Sequence, residues 1–483
     1  MQIESLETSA LDVLGFIFSL RNTLRPVNRL PPEILSLIAQ DVRDFDDDAR
    51  TIIPLTHVCR YWRESIVSIP ENWAIISNDR RSLAATSLER AKAAPLEVSL
   101  DMGGIRDHPR FFDLLIPHIP NIETLWLNRV LTTEELVLFS QHPMPNLRSL
   151  TLRNEEPGTW GPPDPFETSA LTLRYLSLEA VPLFPSLLNL TTLTELHLIY
   201  PQANLHLDTI LDFLEANRSL TILMLQVEFM GPSFRSSRRR TAIENQLRSL
   251  HIICYDAKDG QALLSNIALS KGADLILRCW GDGGVGARMV DILPGISATH
   301  LSNLSSPTFM MYCVHLRCIR LVGPDGEASF FSGSDSGIPF VELPRLPLAH
   351  VRKFRLDPCG WEPAQPSPDP VVFRHLPSFP ALETFIIGLD KNLPFLLSPL
   401  LSNPAAVPSL KTLAFFDCIL TEDFMGELTR FASDRRNTAS AWLHRVVIIH
   451  WDGMFPSITS IRKLEEHVPV VDVRIASELP TDL

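Results

Sequence analysis

The chain contains 483 residues, of which 45% are hydrophobic and 20% are charged, so it has enough apolar material for a large globular core. Its formal net charge of −13 at pH 7 argues against general nucleic-acid binding, because that binding needs basic side chains to neutralise phosphates. The seven cysteines form no CxxC pair and no regular framework, which is typical of reduced thiols in an intracellular protein. We therefore expect a cytoplasmic and/or nuclear protein.

Residues 1–24 are predicted to form a helix. Its apolar run, LDVLGFIFSL from Leu11 to Leu20, is shorter than the about 20 residues that a membrane-spanning helix needs. Glu4, Glu7 and Asp12 occupy the region where a secretory signal peptide carries basic residues. We expect an amphipathic or mostly buried helix that packs beside the next segment. The alternative, a membrane-surface helix, is disfavoured by the lack of basic residues on a polar face.

Residues 25–78, which we call the helical module, are predicted to contain two short amphipathic helices. Pro31 and Pro32 suit a first helical turn, and Glu33 suits the positive end of the helix dipole. The apolar residues that follow recur at helical spacing, and they are Ile34, Leu35, Leu37 and Ile38, then Leu55, Val58, Cys59, Trp62 and Ile66. About 45 residues seldom build a sufficient core alone. The module therefore needs a partner, or the rest of its chain, to cover its apolar excess.

The order of three short strings, LPPEIL, LTHVCRYWR and PENW, resembles an F-box in the form common in mushroom-forming fungi. The acidic insertion RDFDDDAR between the helices departs from the family pattern at a common site of length variation. The resemblance implies binding to the small adaptor Skp1 and, through it, to a cullin. The contact residues that it implies are Leu30, Pro31, Ile34, Leu35, Leu55, Val58, Cys59 and Trp62. The alternative is an ordinary helical hairpin whose apolar face is core.

A connecting helix is predicted over 79–94, and one apolar phrase then recurs through 95–483. After an opening strand at LEVSL, from Leu96, the phrase begins at Ile122, Leu147, Leu173, Leu193, Leu220, Leu247, Leu316, Val351, Leu382, Leu410 and Leu443. The first six starts lie 20 to 27 residues apart, and weaker copies at Ala273 and Ile296 fall in the long gap before Leu316. This period and pattern indicate degenerate leucine-rich repeats, in which stacked repeats bury the apolar residues of their strands.

The predicted fold is therefore mixed α/β, with an N-terminal helical F-box followed by a leucine-rich-repeat solenoid that has a curved parallel sheet. Most repeats lack the Asn or Cys expected after the last apolar residue, but Cys359 and Cys418 occupy that position. We predict that these two thiols are buried at turns and are not catalysts.

Two motifs match known ligand sites in part. The string GDGGVG at 281–286 fits GxGxxG, but Ser305, Ser306 and Pro307 stand where a dinucleotide site needs an acidic residue, so we favour a convex loop. The acidic run at 44–48 lacks the glycine and glutamate of a calcium loop, because Ala49 and Leu55 occupy those positions. No metal, cofactor or catalytic residue is predicted.

Two further segments are predicted to be loops. The basic cluster at 235–240 is either a nuclear-import signal, a loop that docks an acidic partner, or an exposed loop without a ligand. The proline-rich stretch at 361–370 favours an extended loop on the solenoid.

The sequence thus predicts a non-enzymatic protein, the substrate-recognition subunit of an SCF-type E3 ubiquitin ligase. Its repeats would bind a target protein through the concave strand positions Trp126, Arg153, Tyr175, His197, His251, Arg320 and Arg355. Aromatic and arginine side chains are common anchors at protein interfaces. The alternatives are a scaffold without ligase function and, from another class, a nucleotide-binding enzyme that uses the glycine loop.

Overall fold

A computed structural model describes residues 2–46, 49–78, 81–101, 108–128, 141–154, 172–181, 190–200, 206–227, 243–244, 246–254, 257–269, 272–279, 307, 309–313, 318–324, 326–332, 348–357, 376–388, 397, 400–416, 418–438, 442–450 and 455–475. The chain divides into two compact units, Met1–Gln202 and Ala203–Leu483, called the N-terminal and C-terminal units below. The fold is mixed α/β, as the sequence predicts.

The helices of the described residues are α1 (Gln2–Thr23), α2 (Pro32–Asp46), α3 (Ile53–Thr56), α4 (Arg60–Ser68), α5 (Arg81–Ala91), α6 (His108–Leu115), α7 (Leu207–Ala216), α8 (Ala257–Leu264), α9 (Glu422–Thr438) and α10 (Ile458–Glu465). Short 3-10 turns cover Pro26–Arg29, Ala49–Ile52, Pro70–Trp73, Ile116–Asn121, Leu348–His350, Leu376–Ser378 and Pro404–Ala406.

The strands of the N-terminal unit are β1 (Ile75–Ser77), β2 (Leu96–Asp101), β3 (Ile122–Asn128), β4 (Ser149–Arg153), β5 (Tyr175–Glu179) and β6 (Glu195–Ile199). They pair in parallel and in chain order. One lateral row runs through residues that are at most 1% exposed, namely Leu100, Leu127, Leu152, Leu178 and Leu198. Because side chains alternate along a strand, this row and its neighbour at Val98 put all the leucines on one face.

The strands of the C-terminal unit are β7 (Ile222–Val227), β8 (Ile243–Glu244), β9 (Ser249–Cys254), β10 (Ile267–Ala268), β11 (Asp274–Cys279), β12 (Phe309–Cys313), β13 (Cys318–Gly323), β14 (Gly326–Ser332), β15 (Lys353–Asp357), β16 (Thr384–Gly388), β17 (Thr412–Phe416), β18 (Arg445–His450) and β19 (Val470–Ile475). Strands β8 and β10 form a small parallel pair. The others form one sheet in the order β7-β9-β11-β14-β13-β12-β15-β16-β17-β18-β19.

One strand of this sheet departs from the predicted parallel arrangement. Strand β13, which contains the end of the phrase that begins at Leu316, is antiparallel to both β12 and β14. Only 314–317 separate β12 from β13, and only 324–325 separate β13 from β14. A parallel crossover needs about a dozen residues or more, so connections this short permit only hairpins.

Every described copy of the apolar phrase forms a strand, which confirms the strand prediction. Several strands also begin with the same backbone contact. The N–H groups of the residue before the strand and of its first residue both donate to one carbonyl, which belongs to the residue directly before the preceding strand. Arg174 and Tyr175 donate to the carbonyl of Arg148 at 2.8 and 3.0 Å, and Lys411 and Thr412 donate to that of Glu383 at 2.8 and 2.9 Å. This repeated contact sets the register of each strand against the one before it.

Buried polar side chains close turns after two strands. The side chain of Asn78 donates to the carbonyl of Asp101 at 2.8 Å and accepts from the N–H of Asp101 at 3.0 Å. The Cys418 thiol is fully buried and donates to the carbonyl of Ile387 at 3.4 Å, which confirms its predicted place at a turn. Cys359 lies outside the described residues.

The predicted burial of the N-terminal helix is wrong. Seven apolar side chains of α1 are 48–68% exposed, and they are Leu11, Val13, Leu14, Phe16, Ile17, Phe18 and Leu20. Apolar residues surround most of this helix, so packing of a single face could not bury them all. Of the helices that the structure describes, none is long and apolar enough to cross a membrane.

We predict that Asn78→Ala lowers the free energy of unfolding by about 2 kcal/mol, because it removes two hydrogen bonds to one buried backbone segment. Urea denaturation of the full chain measures this. Asn146→Ala is the matched control, because the exposed Asn146 makes a single hydrogen bond, to the carbonyl of Pro120. Equal stability losses for the two variants would contradict the role assigned to Asn78.

Candidate functional site

The helical module has a small core of its own. Leu35, Ala39, Trp62 and Ile66 from α2 and α4 form a cluster in which each residue is at most 6% exposed. Five partly buried residues pack around it, and they are Leu30, Ile38, Leu55, Cys59 and Tyr61. The helical spacing of the apolar residues thus brings one stripe of each helix together.

Three hydrogen bonds hold the start of the module against α4. The carbonyl oxygen of the Asn28 side chain accepts from the Trp62 indole at 2.8 Å and from the Cys59 thiol at 3.9 Å. The Tyr61 hydroxyl donates to the carbonyl of Leu30 at 2.7 Å. Because these bonds satisfy the polar atoms of the ring systems, both aromatic side chains can pack into the small core.

The eight predicted adaptor contacts fall into three groups by exposure. Leu35 and Trp62 lie inside the core, whereas Leu30, Leu55 and Cys59 are half-buried around it. The exposed group comprises Pro31, Ile34 at 39% and Val58 at 50%. Thus only part of the predicted set is accessible to a second protein, and the buried residues support it from beneath.

One further exposed apolar residue of the module was not among the predicted contacts. Leu37 is 54% exposed and lies one helical turn after Ile34 on α2. The spacing of three residues was a usable signal, because residues i and i+3 are neighbours on a helix surface. Pro31, Ile34, Leu37 and Val58 are together called the apolar rim below.

The helical module continues directly into the N-terminal sheet. After the turn at Pro70–Trp73, strand β1 pairs with β2, and the N–H of Glu97 donates to the carbonyl of Ala74 at 3.0 Å. Trp73 is buried under the Arg90 guanidinium, which lies 4.2 Å from the ring centroid. The module and the first strands therefore share one folded unit.

The second candidate surface is the face of the N-terminal sheet opposite the buried leucines, called the open face below. Trp126 is 37% exposed at its centre, and its partners in the lateral row are Ser99 on β2 and Thr151 on β4. Small hydroxyl side chains on both sides leave the faces of the indole accessible. The row continues through Ser177 to His197 on β6.

The predicted residues Arg153, Tyr175 and His197 lie on the same open face. The Tyr175 and His197 rings meet edge to face at 5.2 Å, and Glu195 lies 2.8 Å from the imidazole. Arg153 pairs with Glu179 on the neighbouring strand at 3.1 Å. On β2, Glu97 and Asp101 occupy the same side of the alternating strand as Ser99. Among the residues of this face that the structure describes, four carboxylates therefore accompany one guanidinium.

The other three predicted residues belong to the C-terminal sheet. His251, Arg320 and Arg355 share one lateral row, but two strands separate His251 from Arg320 and one separates Arg320 from Arg355. The row then continues through Ile386, Ala414 and Val447, which are at most 1% exposed.

The buried end of that row shows that the residues between the apolar positions do not all face an accessible surface. Strands β16, β17 and β18 are buried on both faces, and the second face forms a cluster of Ile386, Ala414, Phe416, Val447 and Ile449. Strands covered on both sides contain continuous apolar runs, such as LAFF in β17 and VVII in β18.

The remaining candidate motifs give no assembled site. The glycine string at 281–286, the basic cluster at 235–240 and the proline-rich stretch at 361–370 lie outside the described residues, as do Asp47 and Asp48 of the acidic run. Within the part of the chain that the structure describes, no three His, Cys, Asp or Glu side chains are grouped so that they could hold a metal ion.

Comparisons with known proteins identify no family. The sequence matches none of the protein-family models searched, and no curated protein matches it.

We predict that Leu35→Ala lowers the free energy of unfolding by about 2–5 kcal/mol, because it leaves a cavity in the core of the helical module. Ile34→Ala, the neighbouring change on the exposed side of the same helix, is the matched control, with an expected loss within about 0.5 kcal/mol. Urea denaturation, monitored by Trp fluorescence, gives both values. A large loss for Ile34→Ala would place that side chain in the core.

Proposed function

We propose that the helical module is an F-box that binds an Skp1-class adaptor, and that the chain is the substrate receptor of an SCF-type ubiquitin ligase. The observation that carries the proposal is the apolar rim, whose residues stay exposed on α2 and just before α4. The small core formed by these two helices already has its indole nitrogen and tyrosine hydroxyl hydrogen-bonded. The order of the sequence motifs and the position of the module before a repeat array support the same assignment.

The apolar rim would drive adaptor binding by removing apolar surface from water. Full burial of one aliphatic side chain contributes about 1.5–3 kcal/mol, so Ile34, Leu37 and Val58, which are 39–54% exposed, can supply part of that value each. The buried residues of the predicted set, Leu35 and Trp62, would hold α2 and α4 at the angle at which the rim residues meet the adaptor.

The strands after the module would belong to leucine-rich repeats that form a solenoid with a curved parallel sheet. Support comes from the shared strand-entry contact and from the lateral rows of buried leucines, which each strand can bury only against its neighbours. In this assignment the open face of the N-terminal unit is the concave, target-binding surface.

The target segment bound there would be basic. Among the described residues of the open face, the formal charges of Glu97, Asp101, Glu179 and Glu195 outnumber that of Arg153, which favours Lys and Arg side chains in a partner. Trp126 would be the anchor, since exposed aromatic residues flanked by small side chains offer a large contact area to a ligand. The chain would perform no bond chemistry and would raise the local concentration of target lysines at the ligase.

For adaptor binding, we predict that Ile34→Asp/Val58→Asp abolishes co-purification of the chain with Skp1, because it puts charges into an apolar interface. Both residues are exposed, so the fold should survive, and circular dichroism checks this. Ile458→Asp is the matched control, because Ile458 is 71% exposed on α10 and lies outside the helical module.

Three outcomes of this experiment discriminate between the candidate functions. If the wild type does not bind Skp1, the module is only part of the core of the chain and the ligase assignment is wrong. Binding of Skp1 with cullin in the same complex supports the receptor, whereas Skp1 without cullin would favour the scaffold that has no ligase function.

For target binding, we predict that Trp126→Ala removes at least one co-purifying protein while Skp1 remains bound. The expected loss is about 2 kcal/mol or more, which is roughly 30-fold in affinity. Trp442→Ala is the matched control, because Trp442 is also exposed, at 47%, but stacks under Arg436 in the C-terminal unit. Quantitative mass spectrometry of the three complexes measures the difference. Identical sets of bound proteins would exclude the open face around Trp126 as the target site.

A further inference from the structure

Strand β19 lies at one edge of the C-terminal sheet. Among the strands that the structure describes, β18 is its single neighbour, and the two pair in parallel from Val470 to Ile475. Val470 is 49% exposed and Ile475 is 70% exposed, and the residues between them are half-buried. An edge strand with exposed apolar residues is a template for pairing with another strand. The sequence of β19 indicates which strand fits there.

The backbone groups of β19 that point away from β18 belong to alternate residues. The N–H of Val470 donates to the carbonyl of His444, directly before β18, at 3.1 Å, so Val470 directs its backbone groups at that strand. Successive residues of a strand direct their N–H and carbonyl groups to opposite sides. Val471, Val473 and Ile475 therefore direct these groups to the outer side of the edge.

These outward backbone groups fit a second, reversed copy of β19. In an antiparallel pair, two opposite residues exchange both of their backbone hydrogen bonds when each faces the other strand. A two-fold axis through Val473 sets that residue opposite itself, and it sets Val471 opposite Ile475 of the second copy. All of these residues face outward, so each opposite pair can exchange both hydrogen bonds. The side chains that meet in these pairs are all aliphatic.

The charged residues of β19 favour the same register. Asp472 and Arg474 lie on one face of the strand, and the Arg474 guanidinium donates to the Asp472 carboxylate at 2.9 Å. The axis through Val473 sets Asp472 opposite Arg474 of the second copy. Each carboxylate then has one guanidinium beside it on its own strand and another across the pair. A parallel, in-register pair would set Asp472 opposite Asp472, and like charges directly opposite each other are destabilising.

These charges attract a reversed copy of the strand and do not repel it. Natural edge strands are often protected by charged side chains, of which lysine is the most frequent. Here an acid and a base alternate, so a reversed copy meets opposite charges. Arg445 on β18 also donates to Asp472, at 3.0 Å. Both charged side chains of β19 are thus already paired within one chain, and association would bury no unpaired charge.

We propose that two copies of this chain associate through β19, as an antiparallel, two-fold symmetric pair of edge strands. The contact is isologous, so each copy contributes the same aliphatic residues and the same acid–base pair. It joins two C-terminal sheets edge to edge and covers the exposed Ile475 with Val471 of the second copy. The contact uses no residue of the helical module, so it does not depend on adaptor binding.

Sedimentation equilibrium of the full chain over a concentration series tests the pairing. The wild type should be dimeric, and Arg474→Asp should raise the dimer dissociation constant roughly tenfold or more, because it turns two cross-strand attractions into repulsions. Arg430→Asp, the same charge change at an exposed position of α9, is the matched control and should leave the constant unchanged. Circular dichroism checks the fold of each variant. A monomeric wild type would overturn the pairing and leave the edge to an extended segment of another protein.

A mixture of two variants tests whether the charges meet between copies. Asp472→Arg puts two bases on the strand and Arg474→Asp puts two acids there, so each variant alone should associate weakly. An equimolar mixture should form dimers, because every opposite pair of charges is then attractive. A mixture that associates no better than its components would contradict contact between these residues.

Cysteine cross-linking tests the register itself. Val473→Cys puts two thiols opposite each other at the axis, with Cα atoms about 5.5 Å apart, a separation that a disulfide can span. Val471→Cys is the matched control, because its two copies would lie about 14 Å apart along the strands. Mild oxidation should link Val473→Cys into a dimer on a non-reducing gel and leave Val471→Cys unlinked, as in the wild type. Equal linkage of both variants, or linkage of neither, would overturn antiparallel pairing about Val473.

Discussion

Lateral backbone pairing between short strands is the interaction on which the rest of this molecule depends. No strand of five or six residues can bury its own leucines, so each relies on the next strand to complete the row. At several strand entries two N–H groups share one carbonyl and hold the register, and a slip of one residue would turn the leucines to solvent. The pairing of β1 with β2 extends this dependence to the helical module, whose last residues form the first strand of the sheet.

The open face of the N-terminal sheet, opposite the leucines, is not needed to bury them. Its residues are small, polar or acidic around Trp126, and its ion pairs, such as Arg153 with Glu179, are exposed enough to contribute little to stability. The corresponding face at β16 to β18 is filled with apolar side chains and is buried. These observations favour the N-terminal sheet as the surface that can meet a target.

The helical module divides its apolar residues between two tasks. Trp62 and Leu35 form the core, with the indole satisfied by Asn28, while Ile34, Leu37 and Val58 remain at the surface. A module whose indole and tyrosine hydroxyl are hydrogen-bonded but whose apolar side chains are only partly covered suits protein binding.

Periodicity in the sequence determined the strands, the buried leucine positions and the helical module, because alternation and 3.6-residue spacing are local properties that tertiary contacts reinforce here. The turn role of Cys418 was also readable from its place after a repeat phrase. Only the tertiary structure decided which apolar residues are core and which are surface. Leu35 and Ile34 are neighbours of similar hydrophobicity, and the position of α4 alone separates them. The reversed direction of β13, the double burial of β16 to β18 and the exposure of α1 depend on connection lengths and distant packing. Of these three features, only the double burial is visible in a local pattern, the apolar runs of β17 and β18, whereas the direction of β13 and the exposure of α1 are not.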